Sequence, residues 1–175
     1  KDIRINDYVI IEKAAEIIPQ VVSVVVKDRT GIEKVIVMPT KCPVCGSELF
    51  KEPDVVALKC VNDKCPEKIK RKIEYFVSRE GMNIIGFGER IVDKINELGI
   101  LNSITDIYNL KNHKDELIKL DKFGEKNIYN LLNNIENSKE KEFSKVLYAL
   151  GIPFVGQYTA NILVKTFDNI DNIKN

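Results

Sequence analysis

Apolar, β-branched runs alternate with polar turn residues in the first 38 positions, which predicts β-strands. The runs are Tyr8 to Ile11, Val21 to Val26 and Val35 to Met38, and β-branched side chains favour the pleated backbone of a strand. Turn-forming residues, among them a proline and a glycine, separate the runs. Because three strands make an incomplete sheet, we expect further strands of this domain upstream.

After Pro66 the spacing of apolar positions changes to the three or four residues of a helix. Ile69, Ile73, Phe76 and Val77 recur on one face. Proline suits the first position of a helix, because the N–H that it lacks would be unpaired there. A helix is therefore predicted to begin at Pro66.

Three short turns, each ending in glycine, lead into amphipathic helices in this helical part. They are Gly-Phe-Gly at 86–88, Lys-Phe-Gly at 122–124 and Phe-Val-Gly at 154–156. A preceding helix is clearest for the third turn, and Gly99 is expected to end the helix after the first. The pattern predicts a threefold repeat of helix, hairpin and helix. The apolar stripes after the turns are Ile91, Val92, Ile95 and Leu98; Ile128, Leu131, Leu132 and Ile135; and Ala160, Leu163, Val164 and Phe167.

All four cysteines lie in a turn-rich segment that is too short for an apolar core. Two residues separate Cys42 from Cys45 and four separate Cys60 from Cys65. Four thiolates at this spacing suit tetrahedral zinc, and a shell filled by sulfur makes the metal structural. Two disulfides, or an iron–sulfur cluster, are the alternatives; an intracellular compartment disfavours the first and the paired spacing the second.

A glycine turn that leads into a helix can bind phosphate through its backbone. Glycine lets an external group come close, and the unpaired N–H groups at the helix start attract an anion. Such contacts position a DNA strand without reading its sequence. Each turn can equally be structural, and a basic run is usually a solvated helix face. The side chains of Phe87, Phe123 and Val155 are expected to plug the hairpins into their own core. The predicted DNA contacts are Gly86, Phe87, Gly88, Arg90, Lys122, Phe123, Gly124, Lys126, Val155 and Gly156, with Lys68 and Arg71 from the basic cluster after the last cysteine.

Composition adds two constraints. The chain has 27 basic and 26 acidic residues in 175, a net charge of +1, so any DNA-binding surface must be local. The sequence has no run of about 20 apolar residues and no leader, so we expect a cytoplasmic protein that does not bind membranes. The single histidine, His113, is expected to be a surface residue.

Several stretches resemble bacterial NAD-dependent DNA ligases, in the same order and over essentially the whole chain. In the first part they are residues 2–7 (DIRIND), 17–21 (IIPQV) and 38–46 (MPTKCPVCG). In the helical part they are residues 76–79, 86–89, 148–152 and 155–156. The departures are small: Ala15 and Glu16 stand where members often have glycine and aspartate, and Lys122 where they often have glycine.

The resemblance implies a multidomain α+β fold. Residues 1–39 would be the last strands of an OB-fold domain, 40–66 a small four-cysteine zinc finger, and 67–175 an all-α tandem helix-hairpin-helix domain. The family has four hairpins, of which three are present here. The fourth hairpin and a BRCT domain are expected beyond the last residue of the sequence.

The resemblance also implies a reaction. The family seals nicks in duplex DNA: a lysine attacks NAD+, AMP passes to the 5′-phosphate, and the 3′-hydroxyl displaces it with the help of Mg²⁺. That lysine lies in a Lys-x-Asp-Gly motif, which this sequence lacks. The NAD+ and Mg²⁺ sites and the catalytic residues are therefore expected elsewhere in the parent ligase. This part alone would be inactive, and would hold nicked duplex DNA of any sequence as a monomer associated with the bacterial nucleoid.

Two other classes of function stay open. A non-catalytic repair or recombination module would share the tandem hairpins, but it gives no reason for strands and a zinc finger in this order. A zinc-organised scaffold for protein interactions explains the cysteines and leaves the glycine turns without a role. A Lys-x-Asp-Gly motif upstream in the full-length protein would favour the ligase over both.

Overall fold

The computed structural model describes residues 1–14, 17–53, 55–120, 123–167 and 169–173, with residues 14 and 173 described by backbone alone. Two compact units divide the chain, Lys1–Cys42 and Pro43–Asn175. Within the described ranges, no helix has the length and apolar character needed to cross a membrane.

The first unit consists of two antiparallel strand pairs. Strand β2 (Val9–Ala14) pairs with β3 (Ile18–Val24), and β1 (Arg4–Ile5) pairs with β4 (Lys34–Val35). The first two predicted strands are thus present with shifted ends, because a 3-10 turn at Val26–Asp28 ends the second run early. The third run was predicted too long, because only Lys34–Val35 finds a strand partner in the described part of the chain.

Arg29 cross-links this unit. Its guanidinium donates to both carboxylate oxygens of Asp7, at 2.8 and 2.9 Å, and to Asp2 at 3.0 Å. These hydrogen bonds, those from Arg29 above all, hold the pKa of Asp7 below its usual value. Large apolar side chains stay exposed nevertheless, with Tyr8 at 69% and Val37 at 84%.

The second unit contains a short hairpin followed by helices. Strands β5 (Leu49–Lys51) and β6 (Leu58–Cys60) pair antiparallel. The helices are α1 (Pro66–Val77), α2 (Glu89–Glu97), α3 (Ile104–Ile107), α4 (Lys114–Ile118), α5 (Glu125–Asn137), α6 (Phe143–Ala149), α7 (Gln157–Phe167) and α8 (Ile170–Ile173). The predicted start at Pro66 is confirmed, and Gly99, at φ +74°, follows the end of α2.

Members of the first two predicted apolar stripes form part of the core cluster of this unit. Ile73 of α1, Val92 and Ile95 of α2 and Ile128 of α5 are all fully buried. Two members of the stripes are exposed: Leu98, the last of the first stripe, at 42%, and Phe167, the last of the third, at 36%.

Gly81 is a core position that the sequence did not single out. A Cβ there would collide with the backbone oxygens of Tyr75 and Phe76. Glycine is therefore required where the chain reverses tightly against the end of α1.

Candidate metal centre and nucleic-acid interface

The four cysteines come together in one cluster. The sulfurs of Cys42, Cys45, Cys60 and Cys65 lie within 4.8 Å of one another, and those of Cys45 and Cys60 are 3.5 Å apart. Zinc–sulfur bonds of about 2.3 Å in a tetrahedron separate neighbouring sulfurs by about 3.8 Å, so the cluster fits zinc. None of the four cysteines is joined in a disulfide, which argues against the disulfide interpretation. With four sulfur ligands the metal has no open position for water or substrate.

The second pair of cysteines is positioned by regular elements. Cys60 ends β6, where it pairs with Leu49 of β5. Cys65 is the N-cap of α1, and its carbonyl accepts from the amide of Ile69 at 3.0 Å. Cys65 is 1% exposed. The metal ligands therefore continue directly into the first helix of the first hairpin.

The first pair lies on a tight turn. Gly46, directly after Cys45, has φ +71°, a left-handed conformation that favours glycine. Hydrogen bonds from Ser47 are the main cause that lowers the pKa of the Cys45 thiol to about 6. The thiolate, which is the form that binds metal, is thus favoured at neutral pH.

Lys68 and Arg71, two predicted DNA contacts, have acidic partners. The Nζ of Lys68 donates to Asp63 at 2.8 Å and to the Cys60 carbonyl at 3.2 Å. The Nε of Arg71 donates to Glu67 at 2.9 Å. These hydrogen bonds are the main causes that raise the pKa values of both cations. Lys68 thus braces the cysteine segment, and either side chain would have to exchange a carboxylate for a phosphate to bind DNA.

The first hairpin reverses the chain between α1 and α2. Inside it, the amides of Met82 and Ile84 donate to the carbonyls of Phe76 and Val77 at 2.7 and 3.0 Å. Gly86 takes φ +85°. Gly88 is the N-cap of α2 with φ −82° and ψ 173°, and no side chain caps this helix.

The other two glycine turns repeat this arrangement. Gly124 is the N-cap of α5 with φ −69° and ψ 152°, again without a side-chain cap. Gly156 stands at the start of α7, where its carbonyl accepts from the amide of Ala160 at 2.9 Å. Lys122 falls outside the described residues.

Nothing inside the described protein requires glycine at Gly88, Gly124 or Gly156. None of the three has a left-handed φ, and a Cβ at each would find open space within 4 Å. All three are exposed, and the first amides of the helices they precede have no partner within the helix. Bare backbone at exposed helix starts leaves room for an external anion to approach.

The three apolar turn residues predicted to anchor the hairpins are buried to different degrees. Phe87 is 2% exposed, so any contact that it makes with DNA is limited to its backbone. Phe123 is half-buried, with the Nζ of Lys94 5.5 Å from its ring centre. Val155 is half-buried, whereas Arg90 and Lys126 are exposed.

The first two hairpins share a cleft of about 430 Å³, with Gly86 on one side and Phe123 on the other. The side-chain amide of Asn134 on α5 donates to the carbonyl of Ile85 in the first hairpin at 2.9 Å. Sequence reasoning did not identify this contact, because an asparagine on an exposed helix face gives no signal of it. It ties the second helix of one hairpin to the turn of another.

Helix α6 of the third hairpin packs against helix α1, which belongs to the first hairpin. The rings of Tyr75 on α1 and Tyr148 on α6 meet edge to face with centres 6.1 Å apart. Hydrogen bonding with Tyr148 and burial raise the pKa of Tyr75 to about 12. The Nζ of Lys145 also donates to the Glu80 carbonyl at 2.8 Å. All three glycine turns therefore belong to one packed unit.

Comparison with known proteins identifies both features. A family model of the NAD-dependent DNA ligase C4 zinc finger domain matches residues 41–66, and one of the helix-hairpin-helix motif matches residues 145–175. The chain is similar to the DNA ligase of Fusobacterium nucleatum, at 53% identity over 173 residues. It is also similar to that of Bacillus subtilis, at 44% over 174 residues, and to that of Geobacter metallireducens, at 44% over 173.

Each alignment covers 99% of this chain but only 25 to 26% of the relative. The chain thus spans about a quarter of the length of these ligases. The matched zinc finger supports zinc over an iron–sulfur cluster as the metal. Together, the zinc-finger match and the identities along nearly the entire chain show that it is similar to one part of the NAD-dependent DNA ligases, the part that contains their C4 zinc finger.

Proposed function

We propose that this chain is the DNA-gripping part of an NAD-dependent DNA ligase. In this proposal it holds nicked duplex DNA of any sequence through phosphate contacts at three glycine turns. The observation that carries the proposal is the shared geometry of Gly88, Gly124 and Gly156. Each is an exposed glycine at a helix start, and nothing inside the described protein explains the missing side chain.

The helix starts supply the binding chemistry. Two or three amides at each start point away from the helix and carry its partial positive charge. A phosphate oxygen can accept from them only if no side chain stands in front. Arg90 and Lys126, exposed just after Gly88 and Gly124, would add ionic contacts. Backbone donors of this kind reconcile DNA binding with a net charge of only +1.

The zinc centre supplies rigidity rather than chemistry. Cys42, Cys45, Cys60 and Cys65 would hold a structural zinc ion. Binding of this ion would fix the fold of the cysteine segment and the start of α1. We divide the chain accordingly into OB-fold strands at 1–39, a zinc finger at 40–66 and helix-hairpin-helix units at 67–175.

The reaction itself would take place in other parts of the parent ligase. We infer that the lysine that accepts AMP from NAD+ and the Mg²⁺ site lie there, so that this part contributes by positioning. It would act as a monomer on DNA in the bacterial cytoplasm.

Titration of a fluorescein-labelled nicked duplex by the zinc-loaded chain tests the proposal. If about four to six phosphates are engaged, log affinity should fall against log salt concentration with a slope of roughly −3 to −6. A nicked duplex of scrambled sequence should bind equally well. Strong preference for one sequence, or no binding at low salt, would contradict the proposal.

A second assay tests the ligase assignment separately. The full-length parent should seal the nick with NAD+ and fail with ATP. DNA binding by this chain together with a parent that never ligates would favour a non-catalytic repair module.

A further inference from the structure

The side chains that flank the three glycine turns differ in chemistry. The relevant residues lie two positions before and two positions after the glycine at each helix start. The first hairpin has Gly86 and Arg90 there, and the second has Lys122 and Lys126. The third hairpin has Phe154 and Tyr158 in the same two places. Where the first two hairpins present cations, the third presents two aromatic rings.

Both rings of the third hairpin point into solvent. Phe154 is fully exposed at 101%, and Tyr158 is 80% exposed. Their neighbour Ile152 is also exposed, at 42%. Neither ring contributes to the core of this unit, so protein packing among the described residues gives no reason for two large apolar groups beside Gly156.

Phe154 also occupies a backbone conformation that disfavours it. Its φ is +67°, close to the +85° of Gly86 at the equivalent place in the first hairpin. A left-handed conformation costs a bulky residue on the order of 1–3 kcal/mol, whereas glycine adopts it freely. Glycine would serve the turn better, so the ring must offer something other than stability of the fold.

We propose that the third hairpin binds DNA through apolar rather than ionic contacts. Phe154 and Tyr158 pack against sugar and base surfaces on either side of the phosphate held at Gly156. Those surfaces are the apolar part of a nucleic acid next to its phosphates, and phenyl rings bind them in the minor groove and in single strands. This inference rests on the proposed DNA-binding function.

Salt dependence separates this contact from the ionic ones. An aromatic contact releases no counterions, so its loss lowers affinity equally at every salt concentration. Loss of a cation that binds phosphate instead lowers the slope of log affinity against log salt by about 1. The two kinds of hairpin thus have different signatures in one titration.

The test compares Phe154→Gly and Tyr158→Ala with Arg90→Ala and Lys126→Ala on a labelled nicked duplex. We expect Phe154→Gly to weaken binding about 5- to 150-fold, as for the loss of one aromatic–base contact, with an unchanged slope. Its melting temperature should stay the same or rise, because glycine relieves the turn. Tyr158→Phe, which keeps the ring, should retain affinity where Tyr158→Ala loses it.

A single tryptophan gives a second readout, because the chain contains none. The emission of Phe154→Trp should change when duplex is added, whereas that of Leu98→Trp, just beyond the last residue of α2, should not. Duplexes with 2-aminopurine beside the nick distinguish the two surfaces: increased fluorescence indicates an unstacked base, and unchanged fluorescence a contact with sugars.

Three outcomes would overturn the inference. If the unsubstituted chain binds DNA and Phe154→Gly binds it with the same affinity, the ring makes no contact. A slope reduced by about 1 in that variant would show that its effect is ionic. If the unsubstituted chain does not bind DNA at low salt, the proposed function is overturned and this inference with it.

Discussion

Replacement of Gly88 by serine separates a binding role of the glycine turns from a structural one. At φ −82° and ψ 173° the backbone suits any residue, and the new Cβ would meet no atom within 4 Å. Serine is also a better N-cap than glycine by a few tenths of a kcal/mol. We therefore expect the melting temperature to stay constant or rise by about 1 °C.

DNA binding should respond in the opposite direction. The serine side chain would accept hydrogen bonds from the amides that bind the phosphate. It would also occupy the space through which the phosphate approaches. A hydrogen bond to a charged group contributes about 1.5–3 kcal/mol, so affinity should fall roughly 10- to 150-fold. Gly124→Ser and Gly156→Ser should behave alike.

Thermal melting and fluorescence anisotropy on one preparation measure both quantities. Ser103→Gly is the reciprocal control: it removes the cap of α3, where the Ser103 hydroxyl accepts from the Asp106 amide at 3.4 Å. That variant should lose a few tenths of a kcal/mol and keep its DNA affinity. Unchanged DNA affinity in Gly88→Ser, or a loss of binding that only accompanies unfolding, would contradict a role of these amides in binding phosphate.

Three further predictions concern stability. Gly81→Ala should lower the free energy of unfolding by about 1–3 kcal/mol or more, seen as an earlier urea midpoint, because its Cβ collides with backbone oxygens at the end of α1; an unchanged midpoint would contradict the close approach. Chelation should release one zinc ion per chain, measured with a colorimetric dye, and should reduce the helical circular dichroism as α1 loses its anchored start; a chain purified without metal and fully folded would refute this. The hydrogen bonds of Arg29 depress the pKa of Asp7 in the folded state, so Asp7 contributes to the stability of the first unit at pH values above its ordinary pKa of 3.8. This contribution should be lost as the pH falls through the lower folded pKa. Asp7→Asn should remove this part of the pH dependence, and an equally steep loss of stability in that variant would exclude Asp7 as its source.

The sequence predicted most where local chemistry decides the structure. Proline at the first position placed the start of α1, and cysteine spacing identified four sulfurs that lie within 4.8 Å. The glycine turns were found because the repeat recurs three times. In each case a residue type has one strong local preference.

Features that depend on tertiary packing were missed. Strands β5 and β6 have only three residues each, too few for a periodic pattern, and they lie between the two pairs of cysteines, with Cys60 as the last residue of β6. The need for glycine at Gly81 comes from its contact with the backbone at the end of α1, which the local sequence does not show. The exposure of Phe154 could not be foreseen either, because a phenylalanine in a turn usually packs inward, as Phe87 does.

Amide chemical shifts of the ¹⁵N-labelled chain, followed as nicked duplex is added, test the central claim most directly. If phosphate is held by bare helix starts, the largest shifts and the strongest protection from exchange should fall on the first amides of α2, α5 and α7. Glu89 and Arg90, Glu125 and Lys126, and Gln157 and Tyr158 are the residues to follow. Tight binding with those six amides unmoved would contradict the account.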